Sequence, residues 1–401
     1  MNKTKGGIHM SEMFSNRILN TKKSFIREIL KVTQNKEVIS FAGGLPNPIS
    51  FPIEALKTSM NRVVDENGSN AFQYATTEGY LPLREQIATR YKKRFGLEVS
   101  PSDILITSGS QQALDLIGKA LINKDDHVLI EKPGYLGTIQ ALSLYEPQFH
   151  GINLLEDGLD IQSLEVALKA YAPKLLYTVP NFQNPTGLTY SKEKREAICK
   201  LLKTTSTYLI EDDPYGELRF SGEDLPYIGS HGLEHSILLG SFSKIVTPGM
   251  RIGWICTKDS KLMDKLIIAK QASDLHTNFF SQCVISDYLA HNDLDEHIRK
   301  IKSLYKEQSS AMVNAIKTYF PGNIQITIPE GGMFLWATLP EGTSSLELFD
   351  LASKENVAFV PGEPFYTEEL TSRTFRLNYT NSDSETIEEG IKRLSKVIKN
   401  R

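Results

Sequence analysis

From about residue 100 the chain alternates short apolar runs with amphipathic stretches of helical spacing, and this alternation narrows the possible folds more than any other feature. DILITSG (103–109) reads as a strand. SQQALDLIGKALIN (110–123) reads as a helix with Ala113, Leu114, Ile117 and Leu121 on one face. HVLIEKP, KLLYTVP, YLIEDDP and SILLGSFS follow as further strands, and SKEKREAICKLLKTT (191–205) lies between two of them as a helix capped by Ser191. Strands alternating with helices predict an α/β domain built on a mostly parallel sheet. Near residue 290 the pattern changes. The charged stretch HIRKIKSLYKEQSSAMVNAIKTYF gives way to a Gly-Gly turn, the strand MFLWATLP and a last strand TFRLNY before a C-terminal helix. That succession predicts a smaller α+β lobe.

With 401 residues the chain can bury a large core. Its 45 Lys+Arg against 48 Asp+Glu leave a net charge of −3, which argues against a nucleic-acid coat or a polybasic membrane anchor. No apolar run approaches the roughly 20 residues of a membrane span. The opening MNKTKGGIHMSEMF lacks the apolar core of a signal peptide. Three widely spaced cysteines, Cys199, Cys256 and Cys283, form no CxxC, so neither a disulfide framework nor a zinc site is expected. A reducing cytoplasm is the expected home, with no metal, no nucleic acid and no membrane as partner.

Polar residues gather just after the strand C-termini: Ser108, Gly109 and Ser110, then Tyr135, Asn184, Asp212, Ser241 and Lys244. Ligands of open α/β sheets bind at that end, so these residues can converge. Lys244, in LLGSFSKIVTPGMRIGW (238–254), is either an exposed turn lysine or a Schiff-base lysine whose neutral form is favoured by apolar surroundings and nearby cations. Reading Ser241–Lys244 as the S-x-x-K of serine acyl-enzymes fails, because S-D-N and K-T-G are absent. Asp212 in LIEDDPYGEL is either part of a solvated turn or the partner of a cationic pyridine nitrogen, with Tyr215 donating to the ring oxygen. Asn184 in PNFQNPTG is loop punctuation or a pinned donor to that same oxygen. Ser110 opens a helix, either as ordinary capping or as a phosphate seat completed by Ser241, Ser243 and Arg251. Tyr135 is core packing or a stacking surface for a heteroaromatic ring. Arg376, a charge on the apolar strand TFRLNY, needs a partner: a substrate carboxylate or an internal salt bridge.

Together these readings describe the needs of pyridoxal 5′-phosphate. The motifs SFAGGLPNP (40–48), QYATTEGYLPLRE (73–85), SGSQQALDL, NFQNPTG, EDDPYGEL, GSFSKIVTPGMRIGW and FRLNY resemble, from end to end, those of the class I/II aminotransferases of fold type I. Within that family the chain is most similar to the 2-aminoadipate/kynurenine/aromatic group. The resemblance implies a large domain (49–290) with a mostly parallel seven-stranded sheet flanked by helices. It also implies a small α+β domain (291–401) and an N-terminal segment (1–48) packing with the small one. Lys244 becomes the Schiff-base lysine, Asp212 the partner of the pyridine nitrogen, Asn184 and Tyr215 the contacts to the ring oxygen, and Tyr135 the stacking residue. Ser110, Gln111, Ser241 and Arg251 hold the phosphate, and Arg376 the α-carboxylate. The family's active site lies at a homodimer interface, so Tyr74 reaches the phosphate of the other subunit. Gly43 and Gly44 line the substrate entrance, and Arg27 meets the substrate side chain.

The implied activity moves an amino group between an L-amino acid (2-aminoadipate, aromatic or branched-chain) and a 2-oxo acid such as 2-oxoglutarate. One alternative is β-lyase or other pyridoxal-phosphate chemistry on the same scaffold. Another is an aminotransferase-like effector sensor of the kind found in bacterial regulators. About 40 residues precede SFAGGLPNP, too few for the winged-helix domain of such regulators, so DNA binding is not expected.

Overall fold

The computed structural model describes residues 14–21, 29, 37–368 and 371–400. Strand β1 (Ile39–Ser40) stands apart from the main sheet. That sheet comprises β2 (Ile104–Thr107), β3 (His127–Lys132), β4 (Gln148–Leu155), β5 (Gly158–Leu159), β6 (Leu175–Thr178), β7 (Tyr208–Asp212), β8 (Ser236–Ser241) and β9 (Gly253–Cys256). Its spatial order is β2-β9-β8-β7-β6-β3-β4-β5. The five strands from β8 to β4 run parallel, while β9 is antiparallel to both β8 and β2. The sheet therefore has one strand more than the seven expected. The extra one is the two-residue β5, which folds back antiparallel on β4 where Gly158 takes φ +127°.

The parallel centre follows from composition. LLYT and the interiors of HVLIEK and SILLGS are buried along their length, as strands covered on both faces must be. One face packs Leu129, Leu176 and Leu209 against Leu164, Leu168, Ile198 and Leu202 of the helices Ile161–Tyr171 and Lys192–Leu202. Ser191 caps the second of these by accepting from the Lys194 amide at 3.2 Å, as the sequence predicted. The other face carries the helix Ser110–Leu121 through Ala113, Leu114 and Ile117. That helix ends two residues before the expected Asn123, and Leu121 is only half-buried.

Beyond the long helix Leu294–Tyr319 lies a second, antiparallel sheet. Its strands are β10 (Gln325–Ile326), β11 (Phe334–Thr338), β13 (Val360–Pro361) and β14 (Thr374–Asn378), in the order β10-β11-β14-β13. Strand β12 (Val357–Ala358) pairs instead with β1. This pairing draws residues 41–45 across the gap between the two sheets, because Phe41 bonds both Ala358 and the Asn378 amide at 2.8 Å. The C-terminal ends of β6, β7 and β8, the 41–45 segment and β14 thus face one another.

Candidate active site

Where they face one another they enclose a cavity of about 480 Å³. Its walls include Ser110, Gln111, Tyr135, Asn184, Asp212, Tyr215, Ser241, Ser243, Lys244, Arg251, Arg376 and Gly44, residues drawn from seven separate stretches of chain. Gly43 is buried nearby and is not among the lining residues. Arg27 lies outside the described residues. Tyr74 lies away from the cavity of its own chain. It is 80 % exposed, its ring edge-on to His276 at 5.9 Å, and the neighbouring Ala75 amide bonds His276 Nε2 at 3.3 Å.

Asp212 ends β7 and is 2 % exposed. Its Oδ2 accepts from the Tyr177 hydroxyl at 2.7 Å, whereas Oδ1 is buried with no partner. Burial raises this carboxyl from its ordinary value to about 7, against the pull of the Tyr177 hydrogen bond. A protonated ring nitrogen fits an orphaned carboxylate oxygen at that spot, since it supplies both the missing donor and the missing counter-charge.

Lys244 follows β8 in a tight turn, and its Nζ donates to the Gly44 carbonyl at 2.7 Å. Burial, reinforced by the charges of Arg376 and Arg251, lowers the amine from 10.5 to about 8. The neutral amine needed for covalent attachment is thus populated near neutral pH. Burial likewise raises the Tyr215 phenol, and pushes Tyr135 up to about 12, so both present O–H groups to the cavity.

The anion seat expected from the sequence centres on Gly109. This residue takes φ +76° at the start of the Ser110–Leu121 helix, and no side chain caps that terminus. A Cβ on Gly109 would stand 2.4 Å from Arg251 Nη2, so glycine lets the guanidinium lie against the helix start. Arg251 Nη2 donates to the Ser108 carbonyl at 3.3 Å, and Ser241 Oγ donates to Ser243 Oγ at 2.9 Å. The Ser110 hydroxyl is buried and unpartnered. Free helix N–H groups, three serine hydroxyls and an arginine suit a dianion. Gln111 lines the same rim while donating to the Gly137 carbonyl at 2.9 Å.

Arg376 is 1 % exposed on β14. Its Nη1 donates to Asn184 Oδ1 and its Nη2 to the Ala42 carbonyl, each at 2.7 Å, and Nε has no partner. The guanidinium lies over the Phe334 ring, 4.3 Å from its centroid, and burial lowers it to about 10. No carboxylate of the chain pairs with it among the described residues, so the internal salt bridge weighed from the sequence is not formed. Asn184 itself is pinned by a buried network: Glu131 accepts from the Val179 amide at 2.8 Å and from Gln183 Nε2 at 2.9 Å, fixing the 180–187 turn. Gly187, at φ +71°, closes that turn where a Cβ would stand 2.4 Å from the Phe334 carbonyl.

Sequence reasoning missed Tyr177 and Phe334. Tyr177 carried a faint signal as the one hydroxyl-bearing ring in the apolar run KLLYTVP. Phe334 carried none, since only the fold brings β11 under Arg376.

Residues 38–394 match the family described as aminotransferase class I and II. The chain is 43 % identical over 392 residues to aromatic-amino-acid aminotransferase 1 of Thermococcus litoralis, covering 96 % of this chain and 94 % of that one. It is 40 % identical to the 2-aminoadipate transaminase of Thermus thermophilus, covering 97 % of each. The crystal structure of Pyrococcus horikoshii kynurenine aminotransferase superposes with a TM-score of 0.93 at 42 % identity, covering 98 % of both chains. With a lysine lowered by burial, an orphaned carboxylate and free helix N–H groups around one cavity, the chain belongs to the class I and II aminotransferases and is a pyridoxal 5′-phosphate-dependent transaminase of fold type I.

Proposed function

We propose that the chain transfers the amino group of an L-amino acid of the 2-aminoadipate, aromatic or branched-chain type to 2-oxoglutarate, and that Lys244, Asp212, Tyr215, Asn184 and Arg376 carry the reaction. The observation that carries this reading is Arg376: a fully buried guanidinium opening into the cavity with an unpartnered Nε. Such a group suits a substrate carboxylate that stays on the molecule throughout, which favours transamination over decarboxylation.

When bound, pyridoxal 5′-phosphate supplies an aldehyde to join the substrate nitrogen and a protonated ring to take up the electrons of the broken Cα–H bond. The protein does the rest. Arg376 fixes the carboxylate, and Asn184, its Oδ1 held by Arg376 Nη1, hydrogen-bonds Tyr215 so that the two side chains are placed together for the ring oxygen. Lys244 Nζ would take the proton from Cα and return it to the carbon on the far side of the joined nitrogen, with the Gly44 carbonyl, 2.7 Å from the amine, holding it near both. Asp212 Oδ1 keeps the ring nitrogen protonated. Ser110, Gln111, Ser241, Ser243 and Arg251 seat the phosphate, and Tyr135 covers the ring. The orphaned Asp212 Oδ1 and Ser110 Oγ support these roles.

The active form is a homodimer in which Tyr74 completes the partner's site, and Arg27 meets the substrate side chain. Support comes from Ile49, Ile53, Phe72 and Tyr74, large apolar side chains each left exposed in one protomer. The division into 1–48, 49–290 and 291–401 belongs to the same proposal, supported by the pairing of β1 with β12. So does a cytoplasmic location, supported by three unpaired, buried cysteines. No helix among the described residues is long and apolar enough to cross a membrane.

The test is to supply single amino acids with 2-oxoglutarate and quantify the glutamate and 2-oxo acid produced. Equimolar products from 2-aminoadipate and aromatic donors, with ping-pong kinetics, are expected. Pyruvate and ammonia released from a cysteine conjugate without any oxo acid would favour β-lyase chemistry instead.

A further inference from the structure

The carboxylates nearest Asp212 oppose its charge. Asp213 follows it in sequence and Glu131 faces it from β3, and both destabilise its ionised form. The phenols of Tyr135 and Tyr215 also line the cavity, and among the described residues no cation pairs with the carboxylate. The single hydrogen bond it receives among the described residues comes from Tyr177, fully buried on the adjacent strand β6, at 2.7 Å to Oδ2. Tyr177 is itself held far above the usual phenol range by burial, so its oxygen keeps the proton and acts as donor. The pairing of Tyr177 with Ile210 across β6 and β7 sets where that phenol stands relative to the strand end.

This geometry has a directional consequence. A donor fixed on Oδ2 sets the carboxylate rotation and leaves Oδ1 without a partner on a residue that lines the cavity. We propose that Tyr177 is a positioning residue for the cofactor ring: its hydroxyl holds the Asp212 carboxylate ionised and rotated so that Oδ1 meets the protonated ring nitrogen. The inference rests on the reading that Asp212 partners that nitrogen.

The experiment measures binding of pyridoxine 5′-phosphate to the apoprotein by calorimetry. This probe carries the ring and phosphate and cannot bond covalently to Lys244. Inorganic phosphate serves as the control ligand. Four proteins are compared: wild type, Tyr177→Phe, Asp212→Asn and the double variant. Tyr177→Phe is expected to weaken the probe by about tenfold or more, as for a lost hydrogen bond to a charged group. Its inorganic phosphate binding should stay within about twofold of wild type, which also shows that the cradle has folded. In the Asp212→Asn background the same substitution should cost less than about twofold, because the charge it serves is gone. An equal loss in both backgrounds would reduce Tyr177 to packing and overturn the proposal. Unchanged binding in Tyr177→Phe, with Asp212→Asn impaired, would overturn it while sparing the role of Asp212. Unchanged binding in Asp212→Asn would remove the underlying reading and the proposal together.

Discussion

At Asp212 the fold keeps a carboxylate that burial raises from 3.8 to about 7, with one phenol as its donor. In the absence of the cofactor, such a group costs stability. The folded state binds the proton more tightly than the unfolded chain, so stability declines as pH rises from about 4 to about 7 and the full cost is present above 7. Asp212→Asn removes the charge. The apoprotein of this variant should therefore be more stable than wild type at pH 8, on the order of 2–4 kcal/mol, and the advantage should shrink towards pH 5. Thermal melting of both apoproteins across that range checks it, and a gain independent of pH would contradict the electrostatic account. The same variant should lose transamination by roughly 100-fold or more, which places this residue among those retained for activity against stability.

At the scale of elements, the phosphate seat depends on how closely the Arg251 turn approaches the start of the Ser110–Leu121 helix. Gly109→Ala puts a methyl 2.4 Å from Arg251 Nη2 and forces a left-handed backbone on alanine, with φ +76°. The guanidinium must move, and affinity for pyridoxal 5′-phosphate should fall by about tenfold or more, measured by titrating the apoprotein. Much of this scale was legible in the sequence. β3, β6, β7 and β8 are apolar runs with turn residues at their ends, and burial on both faces leaves that signature. β4 escaped notice because it lies near the sheet edge, is half-exposed and carries Gly151 at its centre. β9 is four residues long and hidden behind the Lys244–Arg251 motif. The site residues after strand ends were legible for the same topological reason that strands deliver them to one rim. Tyr177 and Phe334 were not, because their roles arise from cross-strand register and from the meeting of two sheets.

At the scale of the whole molecule, the cavity is assembled from both sheets and from the 41–45 segment that β1 and β12 anchor between them. One protomer leaves Tyr74 80 % exposed, so the proposed dimer has a direct consequence. Light scattering should give twice the chain mass, and mixing Tyr74→Ala with Lys244→Ala protomers should restore part of the activity, since one site of each mixed dimer is intact. A monomer of full activity would contradict the shared site. The central claim, that Lys244 and its surroundings run an amino-group transfer, is tested most directly by the visible absorption of the protein loaded with pyridoxal 5′-phosphate. Wild type should show a cofactor band that bleaches with 2-aminoadipate or an aromatic amino acid and returns with 2-oxoglutarate, while Lys244→Ala binds cofactor without completing the cycle. A band that no amino acid alters, or one that bleaches and returns equally well in Lys244→Ala, would contradict it.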